Sequence, residues 1–252
     1  MQFPEEINTI LLSLARIPYE NLSKIVAYHK AETLESALDT PDKMYRKSME
    51  SGAGGTCFSL TFYLKDLLHQ KGFSSEFIMG DKYTYSNIHC GLLFDWEGVP
   101  YLLDPGYMIF TPMQLPEKGL TLHYALEPNA VSLEDRPLED VWRLYTGRSP
   151  QLKMRFDFRK KPVSHDEFLA YWRDTFFFNM MEYPVLNKVD GNVQYYLQKK
   201  TFLTRTKEGS EVREVTQAQF EHLAESVFGI SDELINQALE IILKKERPLF
   251  LS

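Results

Sequence analysis

Apolar residues recur at helical spacing in INTILLSLARI, close to the N-terminus, and LESALDTPDKMYRKSMES reads as two short amphipathic helices broken at Pro41. GAGGTCFSLTFYLKDLLHQKG then runs from three glycines into a longer helix that stops at Gly72. From about residue 76 the period changes. EFIMGDKYTY, IHCGLLFDW, VPYLLDPGY, GLTLHYALE, VWRLYTG and LKMRFDFR are short, rich in aromatic and branched residues, and separated by Gly, Pro, Asp and Asn. They predict a meander of strands, a small barrel or a sandwich. LEDRPLED reads as a solvated acidic loop.

SHDEFLAYWRDTFFFNMM opens with Ser164 and has Glu167 three residues later, the spacing of a capping box, so a helix is expected there. YYLQKKTFLTRTKEGSEVREV reads as a hairpin turning near Glu208 and Gly209. TQAQFEHLAESVFG and SDELINQALEIILKKE follow as two helices, each with Ser or Thr at its start. The pattern predicts an α+β fold in three parts: a helical region over 1–80, a barrel-like region over 81–163, and a mixed region over 164–252.

Composition narrows the class. At 252 residues, with 44% hydrophobic and 25% charged, the chain has the make-up of an ordinary globular protein with a sizeable core. Lys and Arg number 28 against 35 Asp and Glu, a net charge of -7, which argues against nucleic acid as a partner and leaves room only for a local basic pocket. Two cysteines are too few for a disulfide framework, so a reducing compartment is expected. The N-terminus is acidic where a secretory signal is basic, and no apolar run reaches the roughly 18 residues of a membrane span. These features predict a cytoplasmic protein with no membrane partner. Oligomeric state is not encoded in any of them.

The candidate chemistry centres on Cys57, which the glycine-rich run places in the first turn of a helix. Unpaired N–H groups and the positive end of the macrodipole favour a thiolate there, and Gly52, Gly54 and Gly55 allow close approach. Taken alone, the same residues suit a small buried side chain beside a tight turn. His89 and Asp104 lie on two adjoining strands folded around Trp96, Glu97 and Gly98. If Phe94 faces Val99, His89 faces Asp104; a tighter turn at Glu97 and Gly98 makes the two diagonal on the same face. A carboxylate beside a histidine fixes its tautomer and stabilises the imidazolium, although the pair alone also suits a structural hydrogen bond. Cys90 should point to the other face as a buried structural thiol. His29, His69, His123, His165 and His222 stand singly, which predicts no metal site, and no phosphate-cradling or dinucleotide fingerprint occurs.

RIPYENLS, GGTCFSLTFYLKDLLHQKGF, IHCGLLFDWEGVPYLLDPGY and NVQYYLQKKTFLTRTKEGSEVREVTQAQFEHLAESVFGI resemble, in that order, the arylamine N-acetyltransferase family over nearly the whole chain. The resemblance implies a helical domain carrying the cysteine, a barrel carrying the histidine and aspartate, and an α/β lid. It implies Cys57 as the acylated nucleophile, His89 as its base and Asp104 as the orienting group. Tyr19 and Tyr107 fall where the family has aromatic walls of the acceptor pocket, though core packing would place them equally well. The implied reaction passes an acetyl or short acyl group from acetyl-CoA, a cosubstrate and not a resident cofactor, to an arylamine or hydrazine. Lys82 and Ser86, at the strand entrance before His89, are the candidates for holding the donor. The same triad would serve an amide synthase or thiol hydrolase, and a binding protein could keep the fold without turnover.

The motif is also eroded. The family pattern R-G-G-x-C-x-E-x-N has Ala53, Ser59 and Thr61 here at its Arg, Glu and Asn positions. Because the family's Arg pairs with the Glu of IPFENL, Glu20 is expected to need another cation, Arg16 or Arg46.

Overall fold

The computed structural model describes residues 3–147 and 151–244; residues 245 and 246, which the sequence pattern adds to the last helix, lie outside them. Helices come first: α1 (Glu5–Leu14), α2 (Leu22–Lys30), α3 (Leu34–Ala37), α4 (Pro41–Ser51) and α5 (Cys57–Gln70), with a short strand β1 (Tyr19–Glu20) before α2. Ile7, Ile10, Leu11 and Leu14 form the buried stripe of α1, at the spacing of one helical face. Pro41 occupies the first turn of α4, and Thr40 caps it by accepting from the Lys43 N–H at 3.2 Å, so the segment divides at this proline. Gly72, at φ +82°, follows the end of α5 in the left-handed conformation that glycine accepts most readily.

The next strands are β2 (Ser75–Lys82), β3 (Tyr85–Trp96), β4 (Val99–Asp104), β5 (Ile109–Gln114), β6 (Thr121–Leu126), β7 (Asn129–Arg136), β8 (Val141–Thr146) and β9 (Lys153–Arg159). They form one eight-stranded sheet in the order β5-β4-β3-β2-β9-β8-β7-β6. Its two edge strands, β5 and β6, meet where the Tyr124 hydroxyl donates to the Gln114 carbonyl, so the sheet curls into a nearly closed barrel. Ile78, Leu102, Met113, Leu133, Leu144 and Phe158 fill its inside. Met79, Cys90, Leu92 and Phe94 form part of a second cluster with α1 and α5. LEDRPLED is not a loop: its first half is the end of β7. Val131, Leu133 and Asp135 alternate inward, and the buried Asp135 is compensated by Lys160 and by the Gly119 N–H at 2.8 Å. A buried acid with a cation partner reads in sequence like a solvated one.

Helix α6 (His165–Asp174) starts with the expected capping box between Ser164 and Glu167. It leads into β10 (Val185–Asp190), β11 (Val193–Gln198), β12 (Thr201–Arg205) and β13 (Ser210–Glu214), followed by α7 (Gln217–Ser226) and α8 (Asp232–Lys244). The hairpin expectation is too simple. Its turn at Thr206–Gly209 is in place, but a second reversal at Lys199, φ 54°, makes YYLQ a separate strand. β10 also joins, giving the sheet order β1-β10-β11-β12-β13. Through β1, where Tyr19 pairs with Asn187, the N-terminal region is stitched to the C-terminal sheet. Among the described residues no helix is long and apolar enough to cross a membrane.

Candidate functional site

The β3–β4 hairpin takes the tighter of the two anticipated registers, with Phe94 opposite Tyr101 and Trp96 opposite Val99. Glu97 and Gly98, both at positive φ, form its two-residue turn. His89 and Asp104 are therefore diagonal on one face, and His89 Nε2 lies 2.9 Å from each carboxylate oxygen. Both are buried. Asp104 also accepts the Tyr107 N–H at 3.0 Å, which fixes the carboxylate from its other side. With Nε2 engaged, the imidazole has Nδ1 left for a thiol. Its ring lies flat on Phe156, centroids 4.0 Å apart at 10°, and meets Tyr107 edge-on at 6.3 Å.

Cys57 is the first residue of α5, at the rim of the barrel. The approach is close: a Cβ on Gly106 would lie 2.4 Å from Cys57 Cβ and 3.1 Å from His89 Cε1, so only glycine fits between the helix start and the turn after Asp104. Gly54 has a similar role against the Pro18 carbonyl, which an added Cβ would strike at 1.6 Å.

Cys90 leaves β3 on the face opposite His89, as strand alternation requires, yet it is not remote from the site. Thr61, one turn beyond Cys57 on α5, donates to the Cys90 carbonyl at 3.4 Å, and the Cys57 thiol itself donates to the carbonyl of Ile88, two residues before Cys90, at 3.9 Å. A hydrogen bond from Cys90 holds the Cys57 thiol well below its ordinary value, against the opposing effect of burial, with His89 and then Lys24 adding to the same side. Cys90 is pushed well up, first by burial and then by its neighbour. For His89 burial opposes the charge, but Asp104 and Cys57 outweigh it and bring the imidazole up to about 10. The two shifts run in opposite directions, the Cys57 thiol down and the His89 imidazole up.

The Glu20 expectation is corrected by the structure. Glu20 is buried and held by Ser23, whose backbone N–H donates to it at 2.9 Å. Neither Arg16 nor Arg46 takes the missing place. Instead Lys47 donates to the Ser23 hydroxyl at 3.0 Å and to Asp39 at 2.7 Å, and Ser59 donates to the same Asp39 oxygen at 2.6 Å. A relay centred on Lys47 thus ties α2, α4 and α5 together where the family pattern has one Arg–Glu pair.

Cys57 opens into a cavity of about 580 Å³ walled by Tyr19, Tyr107, Phe156, Tyr183 and Tyr196, with Lys82 and Tyr85 at the hairpin side. Of the anticipated residues, Tyr19, Tyr107 and Lys82 line this cavity; Ser86 is exposed on the hairpin outside it, next to Tyr85. The opposite wall runs from Phe177 to Met180 and then follows Val185, Asn187, Tyr196 and Gln198. Sequence reasoning missed it, although Val185 with Asn187, and Tyr196 with Gln198, carry the two-residue period of one strand face. Lys24 was also missed. It is buried on α2, donates to Thr175 and lies 4.4 Å from the centroid of the Phe176 ring; burial brings its pKa down to about 7, with Cys57 and Asp39 opposing.

An N-acetyltransferase family profile matches residues 5–237. No curated protein sequence matches the chain. Among solved structures, the arylamine N-acetyltransferase of Mycobacterium abscessus is 21% identical, with TM-score 0.75, covering 90% of this chain and 84% of its own. That of Mycobacterium marinum in complex with CoA is 17% identical, with TM-score 0.75 and coverages of 90% and 88%. A Bacillus cereus arylamine N-acetyltransferase, described as having a Cys-His-Glu catalytic triad, is 18% identical, with TM-score 0.71 and coverage of 92% of both chains.

Proposed function

The chain belongs to the N-acetyltransferase family, and we propose that it carries an acetyl or short acyl group from a coenzyme A thioester to an arylamine or hydrazine by way of a thioester on Cys57. The observation that carries this reading is the Cys57 helix start, set against a histidine bound by a buried aspartate and open to an aromatic cavity.

The Cys57 thiolate attacks the donor carbonyl, and the unpaired N–H groups of the helix start face the oxyanion that develops. As the tetrahedral intermediate collapses, the C–S bond to coenzyme A breaks and the leaving thiolate takes the proton from the His89 imidazolium. His89 is then neutral beside the acyl thioester. The amine attacks that carbonyl, His89 accepts its proton, and the amide departs, restoring thiolate and imidazolium. Asp104 keeps Nε2 protonated throughout, so only Nδ1 exchanges a proton. Lys82, on the hairpin side of the cavity, and the exposed Ser86 are assigned to the diphosphate of the donor, and Tyr19 and Tyr107 to the acceptor ring. A reducing compartment such as the cytoplasm keeps both cysteines as free thiols.

The test is intact mass after incubation with acetyl-CoA. One acetyl group should appear, be absent from Cys57→Ser, and leave as acetylated amine when an arylamine is added. Loss of the adduct to water at the same rate with or without amine would make the protein a hydrolase. No adduct from any short acyl-CoA would sink the donor assignment.

A further inference from the structure

The β1–β10 pair is a wall with two faces. Tyr19 and Asn187, opposite each other in its register, both line the cavity that holds Cys57. Successive residues of a strand leave on opposite faces, and the chain neighbours Pro18 and Lys188 line a different cavity, of about 380 Å³. The two cavities therefore lie back to back. The second is floored by Pro18, Ala53 and Phe228, all buried, while Tyr45, Met49 and Arg16 stand exposed at its rim.

This lining joins aromatic surface to positive charge and contains no acid. Tyr45, Tyr63 and Phe228 supply the rings, and Arg16 and Lys188 the charges. Among the described residues neither cation belongs to an ion pair, whereas Arg136 and Arg143 each have an acidic partner. Arg16, which does not reach Glu20, makes no side-chain hydrogen bond among them, and Lys188 donates only to the Val227 carbonyl, at 3.1 Å. The other polar side chains of the lining are already committed in part. Ser13 and Ser48 each turn their hydroxyl back to a helix carbonyl at 2.7 Å, so the charge offered to a ligand is that of the two cations. In a chain with a net charge of -7, two cations without acids beside one ring-lined cavity mark a place for a negative ligand. We infer that this cavity is a second binding site, for an aromatic molecule bearing an anionic group, with its ring against Tyr45 and Tyr63 and its anion between Arg16 and Lys188. The inference goes beyond acyl transfer and does not depend on it.

A thiol placed at the rim reports on this cavity alone. Met49→Cys in a Cys57→Ser background leaves one accessible cysteine, because Cys90 is fully buried. Its carbamidomethylation by iodoacetamide should slow when 2-naphthoate is added. Protection should be weaker with 2-naphthamide, which keeps the ring without the charge, and weaker with acetate, which keeps the charge without the ring. Lys188→Gln, which can still donate to the Val227 carbonyl, should raise the 2-naphthoate concentration needed for protection about tenfold, and Lys188→Arg should recover part of the loss. Arg16→Gln changes an exposed side chain and should act in the same direction, which keeps the test open if the Lys188 variants fold poorly. Equal protection by 2-naphthoate and 2-naphthamide overturns the anion site, and equal protection by acetate overturns its aromatic part. No protection, or protection unchanged in both Lys188→Gln and Arg16→Gln, overturns the site as a whole. No acyl donor enters the experiment, so failure of the transferase reading leaves its outcome untouched.

Discussion

The helix start that carries Cys57 and the strand that carries Cys90 bury their thiols in the same apolar cluster, yet the two are driven in opposite directions. Burial opposes ionisation at both. The difference lies in what each sulfur faces. Cys57 stands in the first turn of α5, where Cys90, His89 and Lys24 pull its thiol down; Cys90 sits on an apolar strand face, where burial and Cys57 push its thiol up. The comparison teaches that neither exposure nor proximity to His89 in sequence decides which thiol is pulled toward ionisation; the groups facing each sulfur do.

The largest expected effect comes from removing the charge behind His89. Asp104→Asn keeps the shape but withdraws the carboxylate that outweighs the burial of the imidazolium. Acylation of Cys57 by p-nitrophenyl acetate should slow by about four orders of magnitude, and the two cysteines should become more alike in reactivity. Stopped-flow release of p-nitrophenol measures this, with circular dichroism to check the fold. Near-normal acylation in a folded variant would make the pair structural.

A second prediction works on pH. Because the Cys57 thiol is held well below its usual value and His89 rises to about 10, the thiolate–imidazolium pair spans neutral pH. Carbamidomethylation of Cys57 by iodoacetamide should therefore be flat through pH 7 and above, with Cys90 unlabelled. Cys90→Ala removes one hydrogen bond to the charged sulfur and should move the lower inflection up by about one pH unit. A rate still climbing through pH 8–9 in the wild type, as for a free thiol, would refute that comparison.

How much of this was legible in the sequence depends on the range of the interaction. Local rules located the α5 start, the capping box at Ser164, the Thr at the start of α7, and the facing of His89 and Asp104, because each depends on spacing within one element or one hairpin. The β10–β11 hairpin, turned at Gly191, was local and was still overlooked, whereas the β1–β10 pairing and the wall from Phe177 to Met180 depend on the chain near Asn21, roughly 160 residues away, where the Asn21 amide holds the Met180 and Tyr183 carbonyls at 2.6 and 2.8 Å. The substitute for the missing Arg was hidden for the same reason. Ser23, Lys47 and Ser59 come from three helices and Asp39 from the connection between α3 and α4, and no spacing in the chain links them.

The smallest effect concerns Lys24, a cation that pulls the Cys57 thiol down. Its ammonium is buried on a hydroxyl and an aromatic face, with no carboxylate in contact. The sign follows from the two states. Unfolded, the lysine titrates near its ordinary value of 10.5; folded, it titrates near 7, so the unfolded chain binds more proton between these values. The cost of burying the charge is complete below pH 7, declines as pH rises from 7, and is gone above 10.5. Lys24→Met should thus stabilise the fold by on the order of 1 kcal/mol near neutral pH, with the gain shrinking toward pH 10. At the same time the Cys57 inflection should rise by a few tenths of a pH unit, the remainder of the pull being left to His89 and Cys90. Thermal unfolding at pH 6.5 and pH 9.5, with iodoacetamide profiles of the same variant, measures both. A Tm gain equal at the two pH values would mean that the lysine is destabilising through its packing and not through its charge.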